Sequence, residues 1–260
     1  MIKNRLVDYG IANKKALVVG GTRELGLEIA LQLLKSGCKV YIIGRNNITL
    51  KKTLNYFKKT KFNKKVEGFI VDVSSTLETN ELIKKFKNKK INFDIIVYNA
   101  GGSAKVKDSL ASRNEYKKIW DLNLGAAVAL NQFAVPNMKK KKWGRIIHVS
   151  SVEAQNFLGY SSYVAAKSAV NGYVKSLARS LAKYNIIVSA VSPGPIDIKG
   201  RYLNTMKRKN KKKWKQYIKN HLPIQRLATY SEIVNAILFL SSKLSSYCSG
   251  TILNIDGSCH

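Results

Sequence analysis

Lys15-Ala-Leu-Val-Val19-Gly20-Gly21-Thr22-Arg23-Glu24-Leu25-Gly26 begins as an apolar, β-branched run and ends in a glycine-bearing turn. Leu25, Leu27, Ile29, Ala30, Leu33 and Leu34 follow at helical spacing, Gly37 stands where helices commonly end, and Lys39-Val-Tyr-Ile-Ile43 is a second apolar run. Strand, helix and strand in this order make a right-handed crossover between parallel strands. The alternation continues, with strands predicted at 66–71, 94–98, 144–149, 186–191 and 251–255 and helical stretches between them. The predicted fold class is therefore α/β, a seven-stranded parallel sheet with helices on both faces. Ligands of such sheets bind beyond the carboxyl ends of the strands, so the loops that follow the strands should hold the chemistry.

No Pro/Gly/Ser-rich linker or internal repeat divides the 260 residues, so a single domain over 1–260 is predicted. Met1 to Ala12 mix Lys3, Arg5 and Asp8 with apolar positions and lack the apolar run of a secretory signal, and no stretch approaches membrane-spanning length. Cys38, Cys248 and Cys259 are far apart and have no metal-ligand spacing, so neither a disulfide framework nor a metal site is predicted and a reducing cytoplasm is expected. The net charge of +31 raises nucleic acid, an acidic protein or an anionic substrate as partners. Its cations are 37 Lys against 9 Arg, whereas base-edge and bidentate phosphate recognition favour Arg. Pairs such as Lys51-Lys52, Lys58-Lys59 and Lys84-Lys85 look like solvated helix faces, and nucleic acid is not the expected partner.

Gly20 and Gly26 let backbone approach a pyrophosphate, and the helix start behind them offers free N–H groups. Their spacing differs from G-x-G-x-x-G, and alone it fits a packing turn as well. Arg45, after Ile42-Ile43-Gly44, stands where an acidic residue would receive the ribose hydroxyls of NAD; a cation there favours a 2′-phosphate. Arg23 brackets the same phosphate from the first loop, so NADP(H) is predicted over NAD(H). Asp72-Val73 follows the third strand and Asn99-Ala100-Gly101-Gly102 the fourth. Asp72 suits the adenine amino group, Ala100 and Gly101 leave room for flat rings, and Asn99 either lines the crevice or caps a turn.

In Ser161-Ser-Tyr163-Val-Ala-Ala-Lys167 a phenol and an ammonium stand four residues apart on one helix face. A free phenol has a pKa of about 10, and a cation about 4 Å away lowers it by roughly one to three units, so Tyr163 is expected to titrate nearer neutral pH and act as an acid. With 13 Tyr and 37 Lys in the chain, about two such pairs arise by chance, so the weight of this one comes from its surroundings.

Together with Asn123 in Asp121-Leu-Asn-Leu, Ser150-Ser151 and Ser192-Pro193-Gly194, these motifs resemble the short-chain dehydrogenase/reductase family over roughly residues 13 to 257. The resemblance implies a Rossmann-type fold, a nicotinamide cofactor and a catalytic set of Asn123, Ser151, Tyr163 and Lys167. Cofactor contacts are implied for Gly20, Thr22, Arg23, Leu25, Gly26 and Arg45 in the first two loops. Asp72, Val73, Asn99, Ala100 and Gly101 follow in the next two, with Tyr163, Lys167, Pro193, Gly194 and Ile196 around the nicotinamide. The chemistry is carbonyl reduction: Tyr163 supplies a proton to the oxygen that Ser151 orients, while a hydride comes from the nicotinamide. By the same resemblance Lys167 holds the nicotinamide ribose, Asn123 links Lys167 through water to a proton path, and Pro193-Gly194-Pro195-Ile196 covers the nicotinamide.

Two features depart from the family's pattern. In T-G-x-x-x-G-x-G, Val19 replaces Thr and Glu24 replaces the middle Gly, which sets a carboxylate near the pyrophosphate unless it turns to solvent or pairs with Arg23 or a nearby Lys. The interval from Ser151 to Tyr163 is one residue shorter than usual, which keeps Ser150 as an alternative to Ser151.

Residues 199–221 fall where this family builds its substrate lid. Lys207, Arg208, Lys209, Lys211, Lys212, Lys213, Lys215 and Lys219 occur there without an acid, interleaved with Trp214, Tyr217 and Ile218, and predict a helix with a Lys-rich exterior and a small apolar side. It is either a solvated lid or a cationic entrance for an anionic substrate, such as an acyl thioester on an acidic carrier protein or coenzyme A. The resemblance is close to 3-oxoacyl-carrier-protein reductases, but sugar, polyol and small-ketone reductases share every motif named. The alternative of another class is a non-catalytic nucleotide-sensing or nucleic-acid-binding protein on the same fold; Glu24 and the charge favour it, and the intact Ser, Tyr and Lys set opposes it. A homo-oligomer, tetramer or dimer, is expected from the resemblance. His148, His221 and His260 lack catalytic spacing, and His148 is expected near the core.

Overall fold

In β1 (Lys15–Val19) every residue after Lys15 is buried, and successive side chains go to opposite faces. Leu17 and Val19 enter one core, Ala16 and Val18 the other; β2 (Lys39–Gly44) divides Tyr41 and Ile43 from Val40 and Ile42 in the same way. Burial on both faces is what the near-continuous apolar runs encode. With β3 (Val66–Ile70), β4 (Ile95–Tyr98), β5 (Gly144–Val149), β6 (Ile186–Pro193) and β7 (Ile252–Ile255) they form one parallel sheet in the order β3-β2-β1-β4-β5-β6-β7. The computed structural model describes residues 7–259, so Met1 to Leu6 of the stretch that lacks a signal, and His260, lie outside the described residues.

On one face pack α1 (Glu24–Lys35), α2 (Asn47–Lys58) and α10 (Tyr230–Ser241), through Ile29, Leu33, Phe57, Ile233 and Ile237. On the other lie α3 (Thr76–Asn88), α5 (Ala126–Lys141) and α7 (Ser161–Leu181), through Phe86, Leu130, Met138, Val170 and Val174. Each fully buried side chain of this size contributes about 1.5–3 kcal/mol, so these two layers fix the strand ends that carry the site. Polar caps set where helices begin: Ser75 accepts from Glu78 N ahead of α3, and Ser112 with Glu115, then Thr229 with Glu232, form capping boxes on α4 (Arg113–Trp120) and α10.

The seven strands lie where the apolar runs placed them, with shifted ends. β4 starts at Ile95, since the Asp94 carboxylate accepts from Lys15 N and from Lys141; β6 continues to Pro193, and β3 and β7 are shorter than predicted. Two helical features escaped the pattern. A π-helical segment, Asp121–Gly125, joins α4 to α5, with Ala126 N bonded to Asp121 O. The 199–221 stretch is two helices, α8 (Tyr202–Lys209) and α9 (Lys211–His221), because Asn210 (φ −141, ψ 82) leaves helical geometry and its side chain accepts from Lys213 N to cap α9. A last short helix, α6 (Glu153–Asn156), follows β5. The chain runs from β1 to β2 on one side and returns at β4 on the other, and the crevice opens at this switch point.

Candidate active site

The loops after β1 and β4 touch. Gly20 has φ +77, and a Cβ there would lie 3.1 Å from Ala100 N; a Cβ on Gly26 would lie 1.9 Å from Gly20 O. Neither position admits a side chain. Asn99 braces the contact, its Nδ2 donating to Gly20 O at 3.1 Å and its N to Val19 O at 3.0 Å. Arg23, the N-cap of α1, makes no side-chain cap, so the helix start is left to serve an anion. This bare, close-packed cradle fits a dinucleotide pyrophosphate.

Thr22 is buried against Gly44, where a Cβ would come 2.3 Å from its methyl, and this contact brings the exposed Arg23 and Arg45 to one rim. Leu25 gives its side chain to the core, as does Val73. Asp72 is held below the usual carboxylate range: burial pushes it up, but hydrogen bonds from Ser74 Oγ and N, with the charges of Arg45 and Lys118, outweigh that. The Arg45 guanidinium therefore lies close enough to Asp72 to act on its carboxylate.

Glu24 has φ +51, a left-handed conformation that glycine adopts freely. Its carboxylate pairs with Arg201 Nη2 at 3.5 Å, and Arg201 is the N-cap of α8. The sequence pointed to Arg23 or a lysine; the partner is an arginine at the start of α8.

At the end of β5 the two serines part. Ser150 is buried and donates to Asn171 Oδ1 at 2.7 Å, whereas Ser151 hydrogen-bonds Tyr163 and its Oγ accepts from Glu153 N at 3.2 Å. Tyr163 and Lys167 share a face of α7, with Lys167 Nζ 5.7 Å from the Tyr163 ring centre. Lys167 is 3% exposed and donates to Val149 O at 2.7 Å. Gly101 leaves room there, since a Cβ would lie 2.9 Å from Lys167 Nζ and 2.7 Å from Asn123 Oδ1. Asn123, in the π-helical segment, is fixed by donating to Ile119 O and Gly102 O and accepting from Gly102 N.

The expected depression of the Tyr163 pKa is not found. Burial pushes the phenol up to about 12, against the hydrogen bond from Ser151 and with the charge of Glu153. Burial likewise brings Lys167 down to about 8. In this geometry desolvation outweighs the ammonium, which is turned toward Val149 O. The phenol thus keeps its proton throughout the neutral range, the form a proton donor needs.

Pro193 and Gly194 sit between two strands' ends: Val152 N donates to Pro193 O, Gly194 N to Ile255 O, and a Cβ on Gly194 would lie 2.7 Å from Asp256 Cα. Ile196 bridges to Ala228. α8 is tied to this loop, with Asn204 and Lys207 donating to Asp197 at 2.7 and 2.8 Å. His148 is buried beside Asn131 and Tyr173, and burial, then the charge of Lys167, lowers it to about 3. Arg201 and Glu153 are the site residues that motif spacing missed. The only signal for the first was the carboxylate of Glu24 in need of a cation; the second had none. Among the described residues no helix is long and apolar enough to cross a membrane, and no cluster of His, Cys, Asp and Glu could hold a metal ion.

A family described as Enoyl-(Acyl carrier protein) reductase matches residues 20–260. The chain is 34% identical over 250 residues to the 3-oxoacyl-[acyl-carrier-protein] reductase FabG of Buchnera aphidicola subsp. Schizaphis graminum, covering 95% of this chain and 97% of that one. Its structure is similar to that of L-sorbose reductase from Gluconobacter frateurii complexed with NADPH and L-sorbose, with TM-score 0.87 and 29% identity over 97% of this chain and 98% of the other. A 3-oxoacyl (acyl-carrier-protein) reductase from Agrobacterium tumefaciens C58 with NADP bound follows, with TM-score 0.85 and 25% identity over 98% of both.

Proposed function

We propose a reaction for a chain that belongs to the short-chain dehydrogenase/reductase family: NADP(H)-dependent interconversion of a ketone and a secondary alcohol. The observation that carries it is the gathering of Ser151, Tyr163, Lys167 and Asn123 beside the glycine cradle. Arg23 and Arg45 on one rim support a 2′-phosphate, and two structural relatives hold NADPH or NADP.

When bound, the dinucleotide supplies the hydride. Every other task falls to the chain. Gly20 and Gly26 admit the pyrophosphate, Asp72 and Arg45 take the adenosine end, and Lys167 reaches the ribose side of Gly101. Ser151 orients the carbonyl oxygen and stabilises the charge that develops on it. Tyr163, protonated, transfers its O–H proton to that oxygen as the carbon gains the hydride. Lys167 then returns a proton to the phenolate and takes one back from solvent water, along a path that Asn123 helps to line.

Two substrate classes have support. Relatives named for 3-oxoacyl carriers and the lysine-rich α9 favour a 3-oxoacyl thioester on an acidic carrier protein or coenzyme A; the likeness to L-sorbose reductase favours a sugar ketone. The exposed groove of Tyr116, Trp120, Ala165 and Ala166 between α4 and α7 supports a homo-oligomer, and we place the enzyme in the cytoplasm. Tyr163→Phe should lower turnover by about 10²–10⁴-fold while NADPH still binds, measured by absorbance and by fluorescence titration. Near-normal turnover in that variant rules out the acid.

A further inference from the structure

We propose that Glu153 determines substrate choice, and that the ketone it selects carries a hydroxyl group beside the reacting carbonyl, as a ketose does. The inference rests on the carbonyl being held at Ser151 and Tyr163. Glu153 lies against that position: its N–H donates to Ser151 Oγ at 3.2 Å. The segment ahead of α7 closes over it, since a Cβ on Gly159 would lie 2.6 Å from Glu153 Oε2. Oε2 is buried and has no hydrogen-bond partner among the described residues. The charge is also felt on three different segments. After burial, it is among the influences that raise Tyr163 on α7, Tyr217 on the lid helix α9 and Cys259 near the C-terminus.

A buried carboxylate oxygen without a donor is costly, and it is kept where a ligand satisfies it. The described residues offer none, and a donor carried by the substrate would satisfy it. The acyl chain of a 3-oxoacyl thioester brings no donor to this place and would desolvate the carboxylate further. A hydroxyl brings one. An ammonium would too, but residues 199–221 at the entrance carry ten Lys and Arg and no acid, a field that turns cations away. Hydroxylated ketones, neutral or anionic, meet both conditions.

The test uses the purified full chain with NADPH on hydroxyacetone, aminoacetone and butanone, which differ in one group, together with L-sorbose and acetoacetyl-coenzyme A. The wild type should prefer hydroxyacetone to butanone and L-sorbose to the thioester in kcat/KM. Glu153→Leu should lower the hydroxyacetone-to-butanone ratio by about 100-fold or more, since a site built for a hydroxyl discriminates strongly. Glu153→Gln, close in shape and still an acceptor, should lower it by roughly tenfold and covers the case in which the leucine variant does not fold. An unaltered ratio in either folded variant, or a wild-type preference for aminoacetone or the thioester, overturns the assignment. Failure to reduce any ketone while NADPH binds overturns the underlying carbonyl-reduction reading, and the assignment with it.

Discussion

Arg201 holds the carboxylate of Glu24 at 3.5 Å, tying the residue at a left-handed position of the phosphate loop to the N-cap of the lid helix α8. The turn after β1 and the start of α8 are thereby joined by one part-exposed ion pair. Such a pair is worth about 0–1 kcal/mol, less than the roughly 1–2 kcal/mol a side chain costs at a left-handed position.

Glu24→Gly removes the backbone cost and a carboxylate close to the pyrophosphate cradle, and loses only the weak pair. The NADPH Kd should fall by roughly three- to tenfold, about 1 kcal/mol, and Tm should rise by a few degrees. Fluorescence titration and a thermal scan check both, and a weaker Kd contradicts the account.

The two serines should separate by kind of damage. Ser151→Ala, which strips the bond to Tyr163 and the support for a carbonyl oxygen, should lower kcat by about 10²-fold with NADPH affinity retained. Ser150→Ala loses the bond to Asn171 and should cost about 1 kcal/mol in stability with kcat within a few-fold of wild type. Denaturant unfolding and steady-state rates on both variants decide it; equal loss of kcat speaks against the division.

The charge of Arg45 reaches Asp72, where the proposed reading puts the adenosine end of the cofactor. Arg45→Asp should weaken NADPH by roughly ten- to a hundredfold, the worth of a charge-assisted bond plus the new repulsion, and improve NADH. The ratio of kcat/KM for the two cofactors is the readout, and a wild type that already prefers NADH removes the phosphate argument.

Lys167 has a folded pKa near 8 against an ordinary value of 10.5. Between these values the unfolded chain binds a proton that the folded chain does not, so stability from this group rises with pH across that window. Its burden, on the order of 3 kcal/mol, is full below pH 8 and gone above the unfolded pKa. Lys167→Met should therefore be more stable than wild type at pH 7, with the difference shrinking toward pH 10.5, followed by denaturant midpoints at several pH values. A difference that does not change with pH refutes the shift.

The fold was legible because strands buried on both faces must be apolar throughout: Leu17 and Ala16 needed no further signal to enter opposite cores. Gly20 and Gly26 were legible as a turn, the first needing a positive φ and the second a contact that no Cβ fits. Tyr163 and Lys167 were legible from their spacing and Asn123 and Ser151 from the family resemblance, and the four side chains gather at one place. What could not be read depends on three-dimensional balance. The direction of the Tyr163 shift turns on how far burial outweighs a neighbouring ammonium, and spacing alone carries no burial. The Glu24–Arg201 pair joins residues 177 apart, and the break at Asn210 follows from its own dihedral angles. Ser150 and Ser151 are adjacent and alike in sequence, and only the course of the chain beyond β5 turns one to Asn171 and the other to Tyr163.

At the opposite rim of the sheet, where the strands begin, Asp94 takes Lys141 and Lys15 N while Arg145 is packed among the carbonyls of Ser242, Gly144 and Asn185. That polar girdle holds the base together without help from the crevice. Lys89, Lys90 and Lys142 project around it, exposed, on the far side from the substrate mouth. Because the amines at 207–219 beside the mouth react as readily as these, a handle that orients every copy with its mouth outward has to be a group other than an amine, placed on this base.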